Sequence, residues 1–425
     1  MRTPTAPKGT EHLMTSATWL NRLARDLVLK RLQRVERGLL QIVESDEVVL
    51  NFGNPVEQLP PAQVEVLDAR FYLRLLLGGT VGAGESYADG DWDTPDLTHL
   101  VRFMVRNQKA LEGLDGALTR SLKQVFEKLR HRFNANSLTG SRRNIAAHYD
   151  LSNDFFRLWL DSRMMYSSAV FGEPNWSLEK ASEYKLQRLC ELLELQPGDR
   201  LLEIGTGWGG LAIYAAENYD VTVTTATISK AQQAEALARV SSAGLDARID
   251  VVLKDYRDLR GSFDKIVSVE MVEAVGDQFV DGYFSQVASL LVPQGRFVMQ
   301  AITIDDHRYD AALREVDFIK KHIFPGSFIP SIARLVAASA RSGALKLTHL
   351  DDIGRDYATT LRCWSDRFAA AKDDLIQLGF DQRFQRLWQF YFSYCEGGFL
   401  ERAISDVHMV FSSTHDAGPI LKQHS

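Results

Sequence analysis

The stretch LLEIGTGWGG, residues 201–210, decides the fold. An apolar run carrying Glu203 leads into glycines at 205, 207, 209 and 210. Gly205, Gly207 and Gly210 fit the G-x-G-x-x-G pattern of a dinucleotide site. Glu203, Gly205, Gly207 and Gly209 fit the E-x-G-x-G-x-G loop that usually holds S-adenosylmethionine. In both cases backbone N–H groups and a helix N-terminus face the ligand, and glycine lets it come close.

The elements around the loop alternate. A helix, SLEKASEYKLQRLCELLEL, is stopped by the PGD turn at 197–199, and RLLEIG follows as a buried strand. After the loop come the helix GLAIYAAENY, a second strand DVTVTTAT, the helix SKAQQAEALARVSSA and a third strand IDVVLKD. FDKIVSVEM reads as a fourth strand, YFSQVASLL as a helix, VPQG as a turn and RFVMQAIT as a fifth strand. Strands alternating with helices imply a parallel sheet covered on both faces, with ligands at the carboxyl ends of its strands.

The second strand separates the two cofactors. A dinucleotide site calls for an acid about 20 residues past the loop, at the end of that strand, to hold the ribose. Here the strand runs VTVTTATIS and offers hydroxyls, while Asp220 precedes it and lies at the wrong end. Glu203 is instead placed to order the loop, and Asp255 ends the third strand, where it would meet an adenine. LLVPQGRFVM has the helix–Pro–Gly–strand turn that follows the fourth strand in methyltransferases. The expected fold is therefore α/β, a Rossmann-like class I methyltransferase sheet with a smaller N-terminal α+β domain.

The rest of the 425-residue chain suggests three parts: an N-terminal domain over 1–108, a helical linker over 109–143 and the methyltransferase domain over 144–425. A net charge of −6 argues against a general nucleic-acid binder. Cys190, Cys363 and Cys395 form no C-x-x-C pair, so neither a disulfide framework nor a metal site is expected. The polar start lacks a signal-peptide core, and no run reaches the roughly 20 apolar residues of a membrane span. The expectation is a cytoplasmic protein, at most bound to a membrane surface. Residues 17–41 repeat helically, with Leu20, Ala24, Val28, Leu32, Val35 and Leu39 on one side. Trp19 and the surrounding Arg22, Arg25, Lys30, Arg31, Arg34 and Arg37 suit an anionic membrane surface. The same pattern fits a solvated face on a helix packed against its own domain. Lys123, Lys128, Arg130, Arg132, Arg142 and Arg143 form a second basic segment.

Several motifs occur in an order that resembles the cyclopropane-fatty-acid synthases and their mycolic-acid relatives. They are GTVGAGESYADGDWDTPDL, NIAAHYDLSNDFFRLWLDSRMMYSSAVF, LLEIGTGWGGLAIYAA, TISKAQ, DYRDL, VSVEMVEAVG, DFIKKHIFPGSFIPS and DYATTLRCW. The resemblance covers nearly the whole chain. It implies S-adenosylmethionine-dependent methylation of a cis double bond in the acyl chain of an unsaturated phospholipid in the bilayer. Loss of a proton from the new methyl would then close a cyclopropane ring, and loss of a different proton would leave a methylene-branched chain. By the same resemblance Tyr166, Ser167, Gly205, Gly207, Thr227, Ser229, Gln232, Asp255 and Tyr256 contact the cofactor. A bound bicarbonate acts as base, held around Ser168, Glu273, Gln300, Ile302 and Tyr357, and the protein works as a homodimer on the inner face of the membrane.

Three positions depart from the well-known bacterial enzymes: Ser168 stands for a cysteine, and Gln300 and Ala274 each stand for a histidine. Serine and glutamine still hydrogen-bond an anion. Glu273 is suited to orient an anion only with a proton between them, since two bare negative charges repel. Cys395, in YCEGGF, matches a cysteine sometimes labelled catalytic in the family, yet no step above needs a thiolate. A lipid-binding protein that keeps the cofactor loop without turnover is the alternative of another class.

Overall fold

The computed structural model describes residues 18–45, 48–57, 59–111 and 151–414. They form two compact units, one of residues 18–111 with Val316–Ile323 and Leu361–Ala403, the other of residues 151–315, Phe324–Thr360 and 404–414. Residues 316–323 and 361–403, expected with the C-terminal domain, thus belong to the first unit. Apart from 109–111, the expected linker lies outside the described residues, as does the second basic segment.

In the first unit, β1 (Leu39–Ser45), β2 (Val48–Gly53), β3 (Ala62–Val66) and β4 (Trp92–Asp93) make a sheet in the order β2-β1-β3-β4. Helix Trp19–Leu32 starts at Thr18, whose side chain accepts from the Asn21 amide. Ala24, Val28 and Leu32 are buried, as the periodicity predicts. Leu20, expected beside them, is exposed, and with Trp19, Leu23 and Leu27 it forms a second apolar stripe. Lys30 is exposed on that same face. Arg25 turns inward, where its guanidinium donates to both oxygens of the buried Glu44 at 2.6 and 2.5 Å, and the Tyr72 hydroxyl donates to Glu44 as well. Removing one partner would strand a buried charge, so this triad fixes the helix to β1.

In the second unit, β5 (Arg200–Ile204), β6 (Thr222–Thr227), β7 (Ile249–Leu253), β8 (Phe263–Val269), β9 (Leu291–Ile304), β10 (Leu345–Asp352) and β11 (Ile404–Ser413) form one sheet. Its order is β10-β11-β9-β8-β5-β6-β7. β11 runs antiparallel between β9 and β10, while β5 pairs in parallel with both β6 and β8. The chain therefore reverses its direction of travel across the sheet at β5, which puts the glycine loop at the switch point. Neighbouring residues point to opposite faces: Leu202, Ile266 and Phe297 join one buried cluster, and Leu201, Val267 and Val298 join the other. Helices Val280–Leu290 and Ile332–Arg341 contribute to the first cluster, Leu178–Leu193 and Gly210–Tyr219 to the second. The two covered faces account for the near-continuous apolar strands. The expected VPQG turn is a bulge at the start of β9: Phe263 pairs with Leu291 and Lys265 with Arg296, and Gln294 takes φ 63°.

Candidate active site

The loop after β5 has its glycines where the backbone demands them. Gly205, Gly207 and Gly209 have φ of 104°, 53° and 83°, the left-handed region that glycine tolerates best. A Cβ at Gly207 would meet nothing within 4 Å, so this stretch of backbone is open to a ligand. A Cβ at Gly210 would lie 2.7 Å from the Arg163 carbonyl oxygen and the Met165 sulfur, so that glycine serves packing. Glu203 is buried beneath the loop and accepts from the Thr225 hydroxyl at 2.5 Å, and that hydroxyl also lies 2.8 Å from Thr206 Oγ1. Burial pushes Glu203 up to about 8.

Thr227 and Asp255 lie at or just past neighbouring strand ends, while Tyr166 and Ser167 come from the irregular segment before helix Leu178–Leu193. The Thr227 hydroxyl, at the end of β6, donates to Gln232 Oε1 at 2.9 Å, and Ser229 caps the following helix by accepting from the Gln232 amide. Asp255 is buried just past β7 and takes a two-pronged contact from Arg257, both distances 2.7 Å. Tyr256 packs edge-on against Tyr283. Tyr166 lies 5.3 to 6.0 Å, centroid to centroid, from Phe156, Trp159 and Phe324. Ser167 accepts from the fully buried Lys185 at 2.8 Å. Open loop backbone, strand-end hydroxyls and a buried acid past β7 together fit S-adenosylmethionine.

A second cluster forms where β8, β9 and β11 meet the segment before Ala169. Its centre is Glu270, which the sequence reading did not single out. Glu270 Oε1 accepts from the Ser168 amide and from Gln300 Nε2, both at 2.8 Å, and Oε2 accepts from the Tyr357 hydroxyl at 2.7 Å. Gln300 spends its other N–H on Asp406 Oδ2 at 2.8 Å, and its carbonyl oxygen lies 3.2 Å from His408 Nε2. His408 is buried and held neutral, its pKa pushed down to about 3 by burial. A neutral ring must donate from Nε2 here, because amide oxygens only accept.

The charges sort by their donors. Asp406 and Glu270 are in hydrogen-bond contact, and burial followed by the Glu270 charge pushes Asp406 well above the ordinary carboxyl range. Burial also raises Glu270, opposed by the Ser168 amide, the Tyr357 hydroxyl and the Lys185 charge. With more donors and a cation in its favour, Glu270 carries the negative charge and Asp406 the proton. Glu273 accepts from the Ile302 amide at 2.6 Å, while its Oε2 is buried without a hydrogen-bond partner. Burial and the Glu270 charge push Glu273 up to about 8, so it is protonated at neutral pH.

Ser168, Gln300 and Tyr357 thus converge, but on a carboxylate of the chain itself. The Ser168 hydroxyl turns aside to the Ala169 carbonyl at 2.8 Å. The donors expected to hold bicarbonate are occupied, so that anion does not fit this arrangement. Cys395 belongs to the first unit, and desolvation holds its thiol protonated. Among the described residues no group of acids, histidines and cysteines is arranged to hold a metal ion.

The family model for mycolic acid cyclopropane synthetase matches residues 136–409. The chain is 36 % identical over 370 residues to a tuberculostearic acid methyltransferase of Mycobacterium tuberculosis, covering 85 % of this chain and 84 % of that one. It is 37 % identical over 369 residues to the cyclopropane-fatty-acyl-phospholipid synthase of Escherichia coli K12, covering 87 % and 92 %. Among solved structures it is similar to mycolic acid cyclopropane synthase complexed with S-adenosylhomocysteine and CTAB. That match has 31 % identity and a TM-score of 0.60, over 64 % of this chain and 98 % of the other.

Proposed function

From the premise that the chain belongs to the mycolic acid cyclopropane synthetase family, we propose that it methylates a cis double bond of a lipid acyl chain and closes a cyclopropane ring. S-adenosylmethionine is the cofactor, and when bound it supplies an electrophilic methyl group. The observation that carries the reading is the open Gly207 backbone just past β5 together with the Glu270–Gln300–Tyr357 cluster, whose Glu270 follows the neighbouring strand β8.

An alkene is a weak nucleophile, so alignment must lower much of the barrier. Gly207 lets the cofactor approach the backbone, and Asp255, fixed by Arg257, presents a carboxylate to the adenine. Addition of the methyl leaves positive charge on the neighbouring acyl carbon. The ring of Tyr166, partly exposed against the buried Phe156 and Trp159, suits that charge.

The substrate is an unsaturated phospholipid, reached by a homodimer bound peripherally at the inner face of the membrane. The exposed Trp19, Leu20, Leu23 and Leu27 beside Lys30 support this, because such a face buries apolar area among headgroups and attracts anionic lipid. A second reading, a methyl- or methylene-branched product, draws support from the relative named as a tuberculostearic acid methyltransferase. The test is to incubate the full chain with S-adenosylmethionine and unsaturated phospholipid vesicles, then analyse the fatty acids by mass and proton NMR. Upfield cyclopropyl signals are expected; vinylidene or methyl-branch signals would favour the second reading, and no mass gain on any lipid would sink both.

A further inference from the structure

Resting on the methyl-transfer reading, we propose that Glu270 is the general base of the reaction, a carboxylate built into the chain in place of a bound bicarbonate. Three donors that the resemblance assigns to the anion, around Ser168, Gln300 and Tyr357, all point to the two oxygens of this one side chain.

The backbone at Glu270 is held in an unfavourable state for this purpose. Its φ is 46°, a region that suits glycine and costs a side-chain-bearing residue about 1 kcal/mol or more. The Glu270 amide is tied to the Gln300 carbonyl at 2.8 Å, so the turn is fixed to β9. Such strain persists where the surroundings overdetermine it, and here the surroundings are the donors themselves. Glu270 also keeps part of its surface accessible, whereas Gln300, Asp406 and His408 are fully buried. Within the network it is the ionised acid that keeps some exposure. Glu273 is ruled out as base at neutral pH because it already holds a proton.

The step balances without a co-reactant. Once the methyl carbon is bonded to one alkene carbon, the other carries the positive charge. Glu270 takes one proton from that methyl, and the released C–H electron pair forms the bond to the cationic carbon. The ring closes, Glu270 becomes neutral, and S-adenosylhomocysteine is the other product. A proton beside a carbocation is far more acidic than a carboxylic acid, so the base needs position rather than strength. That is why a carboxylate quieted by the Ser168, Gln300 and Tyr357 donors, the Asp406 proton and the nearby Lys185 is adequate.

The test uses the full chain on mixed dioleoyl phosphatidylglycerol and phosphatidylcholine vesicles with S-adenosylmethionine, in buffer freed of carbon dioxide. The wild-type rate should stay within about twofold with or without added bicarbonate, and Glu270→Gln should lose at least about 100-fold in product. Its affinity for S-adenosylhomocysteine, measured by calorimetry, should stay within about threefold, which separates lost chemistry from lost folding. Glu270→Ala should regain about tenfold when formate or bicarbonate is added, because the vacated donors can hold a small anion. A wild-type rate that falls more than about tenfold without bicarbonate, or a Glu270→Gln chain keeping more than about a third of the rate, would overturn the assignment. The bicarbonate arm needs no variant and decides even if the substitutions misfold. A wild-type chain that makes no product at all overturns the methyl-transfer reading and this one with it.

Discussion

Replacing Glu273 with glutamine should make the protein more stable, and increasingly so as the pH rises. Its carboxyl is pushed up to about 8 in the folded chain, against an ordinary 4.5. A group whose folded pKa lies above its unfolded one contributes stability that is fully present below the unfolded value and is lost as pH climbs toward the folded value. Each pH unit between 4.5 and 8 therefore costs the wild type about 1.4 kcal/mol at this position. Glutamine is neutral throughout and can still accept from the Ile302 amide. The expected gain is about 1 kcal/mol at pH 5, rising to about 4 kcal/mol at pH 7.5. Urea unfolding of both chains at the two pH values measures it, and taking the difference cancels Glu203, whose carboxyl is also raised to about 8. A gain that is the same at pH 5 and pH 7.5 would refute the assignment of a protonated, buried Glu273. The same variant should keep its cyclopropanation rate within about tenfold, because glutamine mimics the neutral acid, whereas Glu270→Gln should not.

Gly207→Ala should cost about 1 kcal/mol of stability, from a φ of 53°, and should weaken S-adenosylhomocysteine binding by at least about tenfold in calorimetry, since the added methyl faces the ligand side; unchanged affinity would remove this backbone from the cofactor site. Leu23→Asp with Leu27→Asp, both on the exposed stripe, should lower co-sedimentation with anionic vesicles by about 100-fold in apparent affinity while the thermal midpoint holds. Equal binding would show that the stripe does not meet lipid. Cys395→Ser should leave turnover within about twofold, because a thiol held protonated by desolvation has no nucleophilic task here; a loss of about 100-fold would return that residue to the chemistry.

The sheet was legible because its strands are covered on both faces. RLLEI and FDKIVSV read as apolar runs for the same reason that Leu201 and Leu202 sink into opposite clusters. β10 and β11 escaped that test. LKLTHLDD is largely exposed, and ISDVHMVFSS interrupts its apolar residues with Asp406 and His408, both fully buried. A buried acid and histidine look like surface residues until their partners are known, and those partners lie more than 100 positions away at Gln300. The helix at Trp19 was legible in period but not in face. Ala24, Val28 and Leu32 pack inward, while Leu20 joins a stripe that no propensity separates from core.

Glu270 was in view throughout, inside VSVEMVEAVG and three residues before Glu273. No sequence pattern announces a φ of 46° or three donors arriving from a loop, a strand and a helix. Yet the departures at 168 and 300 become one change once Glu270 is placed among them. A histidine at 300 would carry its own titration into the network. The amide of Gln300 is neutral at every pH and divides its two N–H groups between Glu270 and Asp406, while its oxygen takes the proton of a neutral His408. Ser168 needs only its backbone amide, so its side chain is free to turn to Ala169. At position 300 the internal carboxylate thus has a donor that does not titrate.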